Sequence, residues 1–349
     1  MLNKIDAVGF KSLSKESLPL KPLTIITGVN SSGKSTLIQS ILLAIRHSSI
    51  ENKYKMEPLT NYLDRFSEIR NKNNNSREIN ISIDSDYGKY NLTITADNII
   101  KSGDGLYGLD LPENNTDPEL FYLNANRQGP DDTSTISESK VGTSAQHVFS
   151  YFEKVKDKVL SDSLCRFNES PTLAYQVGRW LSFITDTKTE LKTESQSSSK
   201  VSVFFEDDKL GQVSPFNLGA GMSYVAKIII LCLIAKKDDL IIIENPEIHL
   251  HPKAQAQLGV FFSFIAKNGI QLLLETHCEH LLNKIRHQVF RKELNKKDVV
   301  VLYKSEVYSP FEKLYLNGNG HYVDENNTLT IFPKGFFDGT LNELIEIGG

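Results

Sequence analysis

Residues 23–47 read LTIITGVNSSGKSTLIQSILLAIRH, and no other stretch of the chain restricts its fold so tightly. The apolar run from Leu23 to Thr27 has the composition of a buried strand. Residues 28–36 then give G-x-x-x-x-G-K-S-T, a complete Walker A pattern. Behind it, Leu37, Ile38, Ile41, Leu42 and Ile45 recur at helical spacing. Strand, glycine loop and helix in that order form the context in which this pattern cradles phosphate. Gly28 and Gly33 let the backbone turn and approach an anion with no Cβ in the way. Residues Asn30, Ser31, Ser32, Gly33, Lys34, Ser35 and Thr36, with the helix N-terminus, are the expected phosphate donors. Lys34 is expected to reach the β- and γ-phosphates, and the Ser35 hydroxyl to take one position on Mg2+.

A chain of 349 residues can hold a sizeable core in two or three domains, or in one domain with large insertions. The net charge of −4 gives no global attraction to nucleic acid or to an acidic membrane, so any DNA binding needs a local patch. Cys165, Cys232 and Cys278 are odd in number and far apart, which argues for a reducing compartment over a disulfide framework. No apolar run approaches the roughly 18 residues of a membrane span. The N-terminus has no basic-then-apolar leader, and a cytoplasmic protein is expected.

Residues 48–77 are polar and irregular, and the asparagine run at 71–76 is expected to be an exposed loop tip. Ile79, Ile81 and Ile83, then Leu92, Ile94 and Ala96, alternate around the turn residues 84–88. This predicts a hairpin, expected to extend the sheet beside the nucleotide. Phe121 to Leu123 is a further strand, ending in NANRQGP. There Arg127 and Gln128 either face phosphate or Mg2+ or belong to a solvated loop. Val148, Tyr151, Phe152, Val155 and Val159 step helically, as do Leu173, Val177, Trp180, Leu181 and Ile184, which predicts an inserted helical subdomain. Residues 189–200 read as a polar loop, and residues 201–206 as a strand.

Residues 216–224, FNLGAGMSY, open an apolar helix running to Ala235. This is either a second anion-holding turn or a plain helix start capped by Asn217. Residues 240–252, LIIIENPEIHLHP, begin as a central parallel strand and end in acids. Carboxylates at the C-terminal end of such a strand lie where open α/β sheets bind ligand, making Glu244 a Mg2+-side acid. Residues 271–274 form another apolar strand, followed by ETHCEH. His277 is expected to sense the γ-phosphate or orient water; the alternative is a metal set of Glu275, His277 and His280. Lys284, Arg286, His287, Arg291, Lys292, Lys296 and Lys297 make the strongest basic stretch, either a contact for DNA or an acidic partner or a solvated helix face. Late strands are expected at 299–303 and 314–316, with a packed aromatic knot at 332–338.

The blocks GVNSSGKST, NLGAGMSY, IIIENPEIHLHP and LLLETHCEHLLNKIR, with the opening VGFKSL, resemble ABC-type ATPases of the OLD, RecF and SMC group. YLNANRQGP and PKGFFD resemble blocks of its compact bacterial members. The resemblance implies an α/β fold: an ABC-type P-loop head with a mixed sheet, a β-hairpin subdomain and an inserted helical subdomain. The expected division is an N-terminal lobe at 1–140, the insertion at 141–200, a C-terminal lobe at 201–303 and a packed tail at 304–349. It implies ATP and Mg2+ as cofactors, and two heads closing on two ATP molecules. Gly219, Gly221 and nearby Ser223 would then touch the γ-phosphate across the dimer, and His277 would act as the switch histidine. Two departures stand out. Gly219 occupies the place of the usual serine before the glycine pair, and Asn245 that of the usual catalytic glutamate, with Glu244 replacing the common aspartate. Asparagine cannot act as a general base, so Glu247 or His277 serves, or turnover is slow and ATP clamps a dimer. The leading expectation is a nucleotide-gated homodimer that controls a separate effector or nuclease, with possible DNA contact, in anti-phage defence or DNA maintenance. The alternatives are an ATP-bound scaffold for a toxin or nuclease, and a self-contained nuclease using Asp338, Glu343 and Glu346. No TOPRIM domain is expected.

Overall fold

Alternating apolar residues open the chain as a strand: Leu2, Ile5, Ala7 and Phe10 are buried along β1 (Leu2–Phe10). The computed structural model describes residues 1–333, and the chain divides into two units. The first holds residues 1–106, 275–279 and those from 286 on; the second holds 107–274 and 280–285. After β1 the first unit continues with β2 (Leu13–Pro19), β3 (Leu23–Gly28), α1 (Lys34–Ser48), α2 (Ile50–Thr60) and the single turn α3 (Phe66–Ile69). Then come β4 (Ile79–Ser85), β5 (Gly88–Ile94) and β6 (Ile99–Ser102).

The hairpin β4–β5 forms as the alternation requires, with Ile81 opposite Leu92 and Ile83 opposite Tyr90. It does not extend the sheet of the glycine-loop strand. It joins an antiparallel sheet of order β2-β1-β4-β5-β6, because β4 pairs with β1 and lays Ile81 against Ala7. Helix α1 packs on this sheet. Residues 48–77 are more ordered than their polarity suggests. Ser49 caps α2 by accepting from the Asn52 amide, and Asn71 is fully buried. The Asn71 side chain accepts from the Asn74 amide and donates to Ser14, so the asparagine run is anchored at its first residue.

His47, at the end of α1, is pushed down to about 4 by burial and by the nearby charges of Arg46, Lys53 and Lys101. Between that value and the ordinary 6.5 the unfolded chain takes up a proton that the folded chain refuses. This histidine therefore withdraws stability as pH falls through that window. Asp239, pushed up to about 6 mainly by burial, works in the opposite sense over a similar range. The observable is thus a difference. The stability gap between wild type and His47→Gln is expected to change in favour of the variant from pH 7 to pH 4.5, measured by urea unfolding. A gap independent of pH would refute the assignment.

The second unit holds β7 (Leu120–Leu123), β8 (Thr133–Thr135), α4 (Val148–Val155), α5 (Leu173–Thr185), β9 (Glu190–Ser195) and β10 (Lys200–Asp207). It goes on through β11 (Gly211–Val213), α6 (Ala220–Ile234), β12 (Leu240–Glu244), α7 (Pro252–Lys267) and β13 (Gln271–Glu275), whose last residue belongs to the first unit. Strands β7 and β12 pair in parallel, and β13 lies beside β12. The expected polar loop at 189–200 is in part strand β9, which pairs antiparallel with β10. Its Leu191 and Thr193 are buried while the residues between and after them face water, a pattern that composition alone reads as a loop. Both expected helices form, though α4 stops at Val155 and leaves Val159 exposed.

Two features hold this unit together. Trp180 on α5 is fully buried, with the rings of Phe167, Phe183, Phe261 and Phe264 at centroid distances of 4.8 to 5.6 Å or between. Before β7, the Glu119 carboxylate accepts both bonds of Lys140 Nζ, at 2.8 and 2.6 Å, with only 3% and 7% of the two residues exposed. Burial holds the Glu119 carboxyl above the ordinary range even though Lys140 pulls it down.

The chain ends its described course with α8 (Glu279–Phe290), β14 (Val299–Lys304), β15 (Glu312–Leu316) and β16 (Tyr322–Val323). β14 lies parallel to β3 and antiparallel to β15, so this part of the first unit is a mixed sheet. Within the basic stretch, Arg286 donates to the Gly320 carbonyl and lies over Tyr322, a packing role, whereas Arg291, Lys292 and Lys296 are exposed. Phe332 packs on Tyr303 and Tyr322. The rest of the expected aromatic knot lies outside the described residues, as do Asp338, Glu343 and Glu346. Among the described residues no helix is long and apolar enough to cross a membrane.

Candidate functional site

The glycine loop owes its position to a close approach of two strands. A Cβ on Gly28, at φ +138, would stand 2.0 Å from the Lys304 carbonyl oxygen at the end of β14. That carbonyl accepts the Val29 amide at 3.0 Å, so the loop leaves β3 already fastened. Gly33 is left-handed, at φ +97, and a Cβ there would meet Ser12 Oγ at 2.1 Å. Ser12 in turn donates to Thr36, at 3.2 Å, tying the turn after β1 to the start of α1.

Between these elements lies a cavity of about 540 Å³. Its walls include Asn30, Ser31, Gly33, Lys34, Ser35 and Thr36, together with Glu275 and His277. Lys11 and Gln39 also face it, joined by a 2.8 Å bond from Lys11 Nζ. Lys34 is 4% exposed and donates to the Val29 carbonyl at 2.6 Å. Burial pushes its ammonium below the ordinary lysine range, and the Glu275 carboxylate pulls it back. Ser35 Oγ donates to Glu275 Oε1 at 2.9 Å. Ser32 is 2% exposed, and its hydroxyl has no hydrogen-bond partner. His277 sits at the mouth; partial burial and the Lys34 charge hold its imidazole below the ordinary value, so it is neutral at pH 7. The Thr276 amide donates to the Ile26 carbonyl at 3.0 Å, which brings Glu275 and His277 beside β3. This donor set fits a triphosphate: a helix start with no acid in its first turn, a buried cation, and hydroxyls on the loop. A hydroxyl and a carboxylate side by side are hard oxygen donors of the kind Mg2+ prefers.

The remaining expected residues gather in the second unit. Arg127 is 3% exposed, and its guanidinium donates to the Glu244 carbonyl at 2.6 Å and the Asn245 carbonyl at 2.8 Å. It is not in a solvated loop: its guanidinium clamps the end of β12. The Glu244 carboxylate accepts from Tyr122 Oη at 2.8 Å and the Ala125 amide at 3.0 Å. Gln128 bonds Asp131 through its side chain, and its carbonyl accepts the buried Lys227 ammonium at 2.9 Å. Glu247 lies close enough to Arg127 to favour the charged guanidinium.

Asn245 has a backbone reason to be asparagine, since it sits left-handed at φ +47, where asparagine is enriched and glutamate is not. Helix α6 begins at Ala220 with Gly219 as its N-cap, and Asn217 lies in the 3-10 turn before it. Gly219 is exposed with open space around its Cβ position, while a Cβ on Gly221 would stand 2.5 Å from the His249 carbonyl oxygen. Ser223 is buried with no partner for its hydroxyl. Tyr224 stacks on His249 and lies under the Arg127 guanidinium, tying the start of α6 to the strand-end cluster. Among the described residues no group of three or more His, Cys, Asp or Glu side chains is arranged to hold a metal, which removes the Glu275–His277–His280 alternative.

Reasoning from sequence passed over Lys11, Gln39 and the role of Glu275 beside Ser35. Lys11 and Gln39 carry no signal beyond the FKS opening, and Glu275 shows in the sequence only as a strand-end acid and as a member of the alternative metal set with His277 and His280.

Comparison with solved structures places the fold. It is similar to an SMC head crystallised with the C-terminal winged-helix domain of ScpA, at 12% identity and TM-score 0.56, over 90% of this chain and 98% of that one. It is also similar to an SMC head with an extended coiled coil, bound to the C-terminal domain of ScpA from Pyrococcus furiosus, at 10% identity and TM-score 0.54, over 100% of this chain and 99% of that one. The fold is therefore that of an ABC-type P-loop ATPase head. No curated protein matches the chain by sequence. A family model matches residues 23–283, a span holding the glycine loop, the strand-end acids and the ETH segment. On that match the chain belongs to the ATPase family described as "AAA domain, putative AbiEii toxin, Type IV TA system".

Proposed function

We propose that this chain binds ATP with Mg2+ in the 540 Å³ cavity and hydrolyses it slowly between two copies, as a switch for a separate effector. The observation that carries the nucleotide reading is Lys34. It is a buried ammonium at a helix start, held below its ordinary range by burial, and an anion would restore it. Bound Mg2+ would neutralise phosphate charge and orient the phosphate oxygens. Ser35, on the first turn of α1, would hold it. The loop amides and the Ser32 hydroxyl would bind phosphate. His277, neutral at pH 7, is suited to accept a proton from water or to donate one bond to the γ-phosphate. Asparagine at 245 supports slow turnover, because an amide cannot take a proton.

The dimer reading rests on the first turn of α6. Gly219 is exposed and unconfined, a surface that a second copy could use without rearrangement. The description of the family by a putative toxin of a Type IV TA system supports a paired partner protein. That the similar SMC heads were crystallised with ScpA domains supports a partner protein.

The test is the ATP hydrolysis rate per chain over a range of protein concentrations with Mg2+. The rate per chain is expected to rise with concentration, and Gly219→Glu to cut the plateau by on the order of tenfold or more through charge repulsion at the facing phosphate. Since a side chain at 219 meets nothing, the variant is expected to melt with the wild type. Gly221→Ala would mislead here, because it strikes the His249 backbone and lowers stability directly. A rate per chain independent of concentration and of Gly219 would refute the composite site. Tight binding without any turnover would favour the scaffold reading.

A further inference from the structure

We propose that Glu275 makes nucleotide binding conditional on a divalent cation, acting as a metal-side oxygen of the cavity beside Ser35. The inference rests on the nucleotide reading of that cavity. Its ground is a juxtaposition across 240 residues: Ser35 Oγ donates to Glu275 Oε1 at 2.9 Å. The contact is built into the backbone. Glu275 ends β13, and the amide of the next residue is bonded to the Ile26 carbonyl on β3, the strand that leads into the glycine loop. Glu275 is 6% exposed, so its position is set by packing and not by solvent.

Such a group has two opposite effects on an incoming triphosphate. Without a cation, a buried carboxylate facing the same cavity repels the phosphates, and the low local dielectric strengthens that repulsion. With a cation, the carboxylate and the Ser35 oxygen present two hard donors together, and the repulsion becomes attraction. A hydroxyl that gives its proton to a carboxylate also leaves its lone pairs free for a metal. Lys34 does not cancel the effect, since it meets the phosphates from the loop side and is itself bonded to Val29. The competing account is that Glu275 only serves as counterion to Lys34, which its influence on that ammonium allows. The two accounts differ in one observable. A charge that only offsets Lys34 repels the nucleotide in both conditions, so its removal tightens binding with and without metal. Removal of a metal-side acid tightens binding in EDTA but weakens it in Mg2+.

The experiment is titration of a fluorescent ATP analogue into wild type, Glu275→Gln and Glu275→Asp, each with excess Mg2+ and with EDTA. The readout is the ratio of the two dissociation constants. In wild type, Mg2+ is expected to tighten binding by about 100-fold. In Glu275→Gln the ratio is expected to fall to about tenfold or below, with tighter binding in EDTA and weaker binding in Mg2+. Glu275→Asp keeps the charge but withdraws it by one methylene, and is expected to lie between them. This variant keeps the question open to test if the amide variant does not fold. A ratio unchanged in both variants overturns the inference and leaves the nucleotide reading standing. Absence of any binding by wild type, with or without Mg2+, overturns both.

Discussion

Lys34→Met is expected to abolish the thermal shift that ATP with Mg2+ produces in the wild type, without lowering the melting temperature of the empty protein. The first half follows from charge. A single ammonium within hydrogen-bond reach of phosphate in a partly buried site is worth on the order of 4 kcal/mol, so affinity should fall by at least about 100-fold. At ligand concentrations near 100 times the wild-type Kd, a stabilisation of about 2.7 kcal/mol should disappear. The second half follows from burial. Lys34 is 4% exposed and held below its ordinary range, so the empty protein carries a cost that methionine removes. That gain is offset by Glu275, which loses a nearby positive charge, and the net change should stay within about 1 kcal/mol. Differential scanning fluorimetry with and without nucleotide measures both. A retained shift in the variant would show that the nucleotide binds elsewhere.

The second large effect concerns stability alone. Lys140→Met strands the Glu119 carboxylate, which is 3% exposed, and is expected to cost about 3–5 kcal/mol in urea unfolding. Against a total of roughly 5–15 kcal/mol for an ordinary domain, this should bring the second unit close to collapse at 37 °C. The double variant Glu119→Leu/Lys140→Met removes both charges and should recover most of the loss, since a buried pair often adds little beyond an apolar replacement. If the double variant is as unstable as the single one, the pair matters for more than mutual neutralisation. One candidate is the bond that the Leu111 amide donates to the Glu119 carboxylate at 3.0 Å.

The parts of this molecule that could be read from sequence are those whose cause is local. The glycine loop needs only a strand before it and a helix after it, and residues 23–47 contain all three. The hairpin β4–β5 and helices α4 and α5 likewise follow from periodicity within a few residues of each other. What failed depended on distant partners. The hairpin's sheet is not legible locally, because its pairing with β1 joins residues some 75 positions apart, as Ala7 and Ile81 show. Strand β9 was missed because an edge strand with a solvated face has the composition of a loop. The site divided in the same way. Lys34 and Ser35 were legible from spacing, whereas Glu275 gains its meaning only when β13 delivers it to Ser35. Sequence leaves Arg127 open between a phosphate or Mg2+ contact and a solvated loop; its burial excludes the loop, and its bonds to three backbone carbonyls are a role with no pattern of its own. Asn245 looked like a missing catalytic group, while its left-handed backbone gives it a conformational reason to be there.

The chain has one tryptophan, and it lies at the centre of the second unit. Trp180 is wrapped by four phenylalanine rings and capped by the Arg166 guanidinium at 4.9 Å. Its emission is therefore a built-in optical reporter of that unit. Far-ultraviolet circular dichroism sees helices and strands in both. Following one sample by the two signals during unfolding turns a packing detail into a measure of cooperativity. Superimposed curves would mean that the chain unfolds in one cooperative transition, and separated curves that each unit melts on its own terms.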